Sequence, residues 1–80
     1  MILFALRGRA TAAYHRASMV QTKIQEYMIS GVRLGWLIHP QTRQVEIYRQ
    51  GQAPEVLTNP TYLSGETVLP GFELNLALVW

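Results

Sequence analysis

Between Ser18 and Tyr48 the apolar residues change their spacing from the helical period of 3.6 to the strand period of 2, and Gly31 marks the change. Val20, Ile24, Tyr27 and Met28 fall on one face of a helix whose other face carries Gln21, Thr22, Gln25 and Glu26. Ser18 and Gln21 stand at capping-box spacing, which predicts a start near Met19. Ser30-Gly31 is the expected stop, since glycine takes the left-handed conformation there without a side-chain clash. Val32 to Ile38 then reads as a strand with Leu34, Trp36 and Ile38 on one face. Gln44 to Arg49 reads as its hairpin partner, with Val45 and Ile47 together and the turn over His39 to Arg43 around Pro40. A helix feeding a hairpin is an α+β unit.

On either side of that unit the pattern is shorter. Ile2 to Leu6 is apolar on both faces and ends at Arg7-Gly8-Arg9, as a buried central strand ending in a turn would. The following RATAAYHRAS is either an irregular connection or an early extension of the helix that adds Ala13 and Ala17 to its apolar face. Glu55 to Leu57 suits a third strand, and Asn59-Pro60 turns the chain again. The C-terminal LNLALVW is an apolar tail.

Eighty residues make one small domain, and a chain of that size buries only about 60% of the surface its unfolded form exposes. With no cysteine there is no disulfide or thiolate metal site to support a thin core. A hydrophobic share of 49% against 15% charged argues for a globular chain with a partner surface. Met1 to Leu6 lacks a preceding basic region and is too short for a signal peptide or a membrane span, which predicts a cytoplasmic protein with no membrane partner. Asp is absent altogether, so five Glu residues would have to supply every carboxylate function.

The run KIQEYMISGVRLGWLIHPQTRQVEIYRQGQ, with LSGETVLPGF after it, resembles the C-terminal half of the putative restriction endonuclease domain family within the PD-(D/E)XK nuclease superfamily. The resemblance covers Met19 to Phe72 and rests on several motifs. These are a Lys and a Tyr four apart on a helix, Gly-Val, a Trp-Leu-Ile strand, a Pro turn, a strand ending in Tyr, and the Leu-Ser-Gly-Glu and Leu-Pro-Gly-Phe pair. It implies an α+β fold with a mixed sheet flanked by helices. This chain, residues 1–80, would keep a small sheet whose β-hairpin packs on one main helix, a partial restriction-endonuclease-like fold and the C-terminal half of the domain.

Members of that family hydrolyse DNA phosphodiesters with a divalent metal, magnesium being implied. Its ligands are a Pro-Asp on an early strand and a Glu on the strand before the helix, and a helix Lys completes the site. Such a metal polarises the phosphate and generates hydroxide from water. Lys23 falls at the helix Lys. ILFALRG lines up with the strand that carries the Glu and puts Ala5 in its place, and the Pro-Asp strand has no counterpart. The resemblance therefore makes Lys23 a vestige of the catalytic set. It leaves this chain with no cofactor of its own and predicts no hydrolysis by the chain alone. The likeness breaks off near Met19, as it would in a gene that shifted frame or started late.

Each of these residues also has a plainer reading. Lys23 can pair with Glu26 or lay its stem on Tyr27. Tyr27 and Trp36 stand at core spacing, and His39 reads as a solvent-facing turn residue where the family more often has Asp. His15, His39, Glu46 and Glu66 show no helical spacing that would pre-arrange a metal site. Two other functional classes stay open. One is a protein-interaction module, in which an uncovered strand edge or the apolar tail drives homo-oligomerisation. The other is a DNA-binding remnant in which Arg7, Arg9 and Arg16 neutralise phosphates.

Overall fold

A computed structural model describes residues 1–6 and 10–80 of the chain, so the expected turn at Arg7-Gly8-Arg9 lies outside the described residues. Five strands form one sheet: β1 (Ile2–Leu6), β2 (Ala10–Tyr14), β3 (Leu34–His39), β4 (Gln44–Arg49) and β5 (Glu55–Thr58). Their order is β2-β1-β3-β4-β5, and every neighbouring pair is antiparallel. The helix α1 (Ala17–Ile29) covers one face. The strands β6 (Tyr62–Ser64) and β7 (Glu73–Asn75) pair as a second small sheet, followed by a 3-10 turn at Leu76–Leu78. The fold is α+β, with one helix packed against an antiparallel sheet. The mixed sheet implied by the resemblance is not what forms. β2 and β3 do run parallel to one another across the α1 connection, but β1 lies between them, so no two adjacent strands are parallel.

The segment read as irregular or helical, Ala10 to Tyr14, is strand β2. Alanine favours helix locally, but β1 has a second ladder of backbone groups to satisfy, and pairing from Ile2↔Tyr14 to Leu6↔Ala10 satisfies it. That pairing also moves the helix start. His15 and Met1 exchange backbone hydrogen bonds of 2.9 and 3.1 Å. The chain therefore turns into the helix at Arg16, an extended N-cap whose carbonyl accepts from the amides of Met19 and Val20. Ser18 lies inside the first turn, and the expected Ser18–Gln21 capping box does not form.

The helix stop follows the expectation. Gly31 has φ +95°, its amide donates to the Met28 carbonyl at 3.2 Å, and the Val32 amide donates to Tyr27 at 3.1 Å, the bond pair of a Schellman motif. Gln50 Nε2 adds bonds to the carbonyls of Met28 and Val32 at 2.7 and 2.8 Å. Val32 thus belongs to the helix stop, and β3 begins at Leu34.

The register sorts the core into two halves. Leu3, Leu37 and Tyr48 face the helix and meet Val20 and Ile24, with Tyr27 and Met28 only partly buried at the margin. Leu6, Leu34, Trp36, Ile38, Val45 and Ile47 face the other way and meet Leu63 and Leu76. There Trp36 lies between Phe4 and Phe72, with ring centroids at 5.6 and 6.1 Å. The apolar tail is therefore largely inside: Leu76 is buried and Leu74, Val79 and Trp80 pack on the sheet, while Leu78 stays exposed.

The Leu-Ser-Gly-Glu and Leu-Pro-Gly-Phe motifs close this second layer. Gly65 donates to the Phe72 carbonyl at 2.8 Å and accepts from the Leu69 amide at 3.0 Å. A Cβ on Gly65 would run into the Leu69 carbonyl oxygen.

Gly35 sets how closely the helix approaches. A Cβ there would lie 2.8 Å from Ile24 Cδ1, and Ile24 is fully buried. Gly35→Ala is expected to destabilise the protein by about 1–3 kcal/mol through overpacking. Ile24→Val removes the obstructing methyl at a cost of about 0.5–1.5 kcal/mol. Denaturant unfolding of both single variants and the double variant should give less than the sum. Additive losses would show that the helix does not rest on Gly35.

Candidate functional site

The face of the sheet beneath α1 holds both positions singled out from the sequence. Ala5 pairs with Gly35, which in turn pairs with Tyr48, so the three form one row across β1, β3 and β4. Ile24 sits over Gly35, and Lys23 is its neighbour in the helix. The position expected to hold a Glu and the helix that offers a Lys thus meet on the same face. What occupies them is not a charge constellation. Ala5 is 8% exposed, and Lys23 Nζ pairs with Glu26 Oε2 at 3.4 Å on the helix surface.

The carboxylates lie elsewhere. Glu46 Oε2 is 2.8 Å from His39 Nε2, and its Oε1 accepts from the Tyr48 hydroxyl at 2.8 Å. Tyr48 also reaches Gln21 Oε1 at 3.4 Å, which ties this polar chain to the helix. Glu66 accepts from Arg49 Nε and Nη2, at 3.1 and 2.6 Å, and Glu55 accepts from Arg49 Nη1 at 2.9 Å, so one guanidinium joins β4 to β5 and to the loop after β6. Glu26 takes Lys23, and Glu73 is exposed on β7. Among the described residues no three acidic or imidazole side chains converge in a way that could hold a metal ion.

His39 corrects its sequence reading. It is the last residue of β3 and half-buried, not a solvent-facing turn residue. The register pairs it with Gln44, which places Glu46 on the adjoining diagonal of the same face. Counting from the turn, with odd residues of β3 and even residues of β4 sharing a face, is the signal that would have found it. His39 also lines a cleft of about 380 Å³ at this end of the sheet, with Met1, Tyr14, Ala17 and Pro40. His15 does not join it, and its buried Nε2 has no hydrogen-bond partner among the described residues.

The Uma2 family, described as putative restriction endonuclease, matches residues 11–77. The chain belongs to that family. The match runs from β2 to the final 3-10 turn and includes Lys23, whereas Ala5 precedes it. No curated protein matches the chain. Within the matched range lie the residues that build the helix stop, the Trp36 side of the aromatic cluster and the Gly65 loop. Among the described residues no helix is long and apolar enough to cross a membrane.

Burial, and then the carboxylate of Glu46 beside it, push the Tyr48 hydroxyl up to about 12, so it remains a donor. The folded state favours the neutral phenol. Its contribution is therefore fully present below the unfolded value of 10 and is lost as pH rises through 12. Tyr48→Phe should melt below the wild type by a constant margin up to about pH 10, and the margin should narrow towards pH 12. Thermal melts by circular dichroism across that range test it, and a margin that does not change with pH would show that Tyr48 is not held this way.

Proposed function

We propose that the chain is the C-terminal part of a PD-(D/E)XK-type nuclease domain, one small domain that keeps the family's scaffold and helix Lys and does not hydrolyse DNA by itself. DNA is the substrate class the family's description implies, and a DNA-directed role is a cytoplasmic one. The observation that carries the reading is the distribution of carboxylates. The chain has no Asp, Ala5 stands at the buried strand position beneath the helix, and four of its five Glu residues are engaged by Lys23, His39, Tyr48 or Arg49.

A hard divalent cation needs several oxygen ligands in near-octahedral array, and magnesium keeps one or two carboxylates as its minimum protein anchor. On the face that carries Ala5, Glu46 is already held by His39 and Tyr48, and the carboxylate beside Lys23 is its own helix partner Glu26. The residues present do not fit a catalytic magnesium. Lys23, paired with Glu26 and partly exposed, is read as the vestige of a set whose acids are missing.

Wild-type, Ala5→Glu and Lys23→Ala proteins, incubated with supercoiled plasmid and magnesium or manganese, test the proposal. None should nick the plasmid. One restored carboxylate at position 5 would still lack the second acid that the family resemblance implies. The melting temperature of Ala5→Glu is measured alongside, because an unpaired acid at that buried position is costly. Nicking by the wild type that is lost in Lys23→Ala would overturn the inactive reading.

A further inference from the structure

The two edges of the five-stranded sheet are β2 and β5, and they are defended differently. Exposed strand edges are usually blunted by proline, charge or shortness. β5 has four residues, with Pro54 before it, Asn59-Pro60 after it, and Glu55 held at its start by Arg49. β2 reads Ala-Thr-Ala-Ala-Tyr, without charge or proline, and Thr11 to Tyr14 are exposed. Tyr14 is 76% exposed.

The register shows which backbone groups of β2 face outward. Met1 and His15 exchange both of their backbone bonds. Bonded and non-bonded pairs alternate along an antiparallel ladder, so Leu3↔Ala13 and Ala5↔Thr11 are the next bonded pairs. The N–H and C=O groups of Ala10, Ala12 and Tyr14 therefore point away from β1. β2 pairs with no other strand among the described residues.

Those outward residues are the first, third and fifth of the strand, a set symmetric about Ala12. We propose that β2 is a homodimerisation edge, pairing antiparallel with β2 of a second copy about a twofold axis at Ala12. In that register Ala12 faces Ala12, and Ala10 faces Tyr14 at either end. Every outward group of one strand meets an outward group of the other with no overhang. A second copy suits this edge because the strand meets its own small, uncharged side chains across the twofold, with every outward backbone group paired. The side chains agree. Each exposed Tyr14 ring lies beside an Ala10 methyl, Thr11 faces Ala13, and no charge meets a like charge across the junction. The axis stands perpendicular to the sheet, so the two sheets continue into one and both α1 helices lie on the same side. The tail offers less than β2, since Leu76 is buried and Leu74, Val79 and Trp80 pack on their own chain, with Leu78 left exposed. The inference does not depend on the nuclease reading.

The test uses the full chain with Ala12→Lys and Ala12→Glu. Ala12 is exposed, so both variants should melt close to the wild type. In the dimer each would place like charges directly across the axis. Sedimentation velocity over a concentration series should show a wild-type dimer little affected by sodium chloride. The dimer dissociation constant of each variant should be raised roughly tenfold or more at low salt. An equimolar mixture of the Lys and Glu variants should regain wild-type association, because only a twofold through residue 12 sets the two charges face to face. The proposal is overturned by a wild type that stays monomeric to its solubility limit, by variants that associate as the wild type does, or by a mixture that fails to recover.

Discussion

Helix α1 can lie against the sheet because β3 has no side chain at position 35. Ile24 fills the space a Cβ would take, and its Cδ1 would stand 2.8 Å from such an atom. The Schellman stop at Gly31 and the double bond from Gln50 to the carbonyls of Met28 and Val32 fix the far end of the helix. The Tyr48 hydroxyl, reaching Gln21, holds its first half over β4. Between them these contacts determine which face of the sheet is covered, where Lys23 projects, and which side is left for the second layer of β6, β7 and the tail. A side chain at position 35 would force the buried Ile24 end methyl out of its place between helix and sheet.

The motifs read from the sequence do structural work in this fold. Gly31 is needed for a positive φ, Trp36 for the stack between Phe4 and Phe72, and Gly65 for a turn in which a Cβ would strike the Leu69 carbonyl. Glu66, within the same motif, is the counter-ion of Arg49 and ties the second layer to β4 and β5. None of these roles needs a metal. Ala5 pairs with Thr11 and Gly35 as a small buried residue of β1, and no contact there calls for a charged side chain.

What was legible in the sequence was what local chemistry decides. The hairpin from Leu34 to Arg49 announced itself by alternation, and its second strand has the expected limits, Gln44 to Arg49. The helix stop followed from one glycine. The helix start did not, because it is set by Met1 and His15 bonding across a hairpin, and no local signal reports a partner fourteen residues away. The Ala-rich β2 was hidden for the same reason: its conformation comes from β1, against the preference of its own residues. β6 and β7 are three residues each, too short to show a period. Within the candidate site, Lys23 and its Glu26 partner could be read from helical spacing. The His39–Glu46–Tyr48 chain needed the register of two strands, and the dispersal of the remaining carboxylates needed the whole tertiary structure.

Strand β2 is thus the part of the fold with the least support of its own. Alanine has low strand propensity, and four of its five residues are exposed, so packing adds little to hold it extended. Its order rests on one ladder of backbone bonds to β1. Edge strands with that character usually carry a charge or a proline against further pairing, as β5 does with Glu55 and its flanking prolines. β2 carries neither, and its free ladder is the mirror of the one that already holds it in place. A second ladder would oppose no charge, bury no unpaired polar side chain and require no change in the strand's conformation. The weakness that hid this segment from sequence reading and the openness of its outer edge therefore have one cause: small, uncharged side chains on a strand that neither packing nor propensity commits.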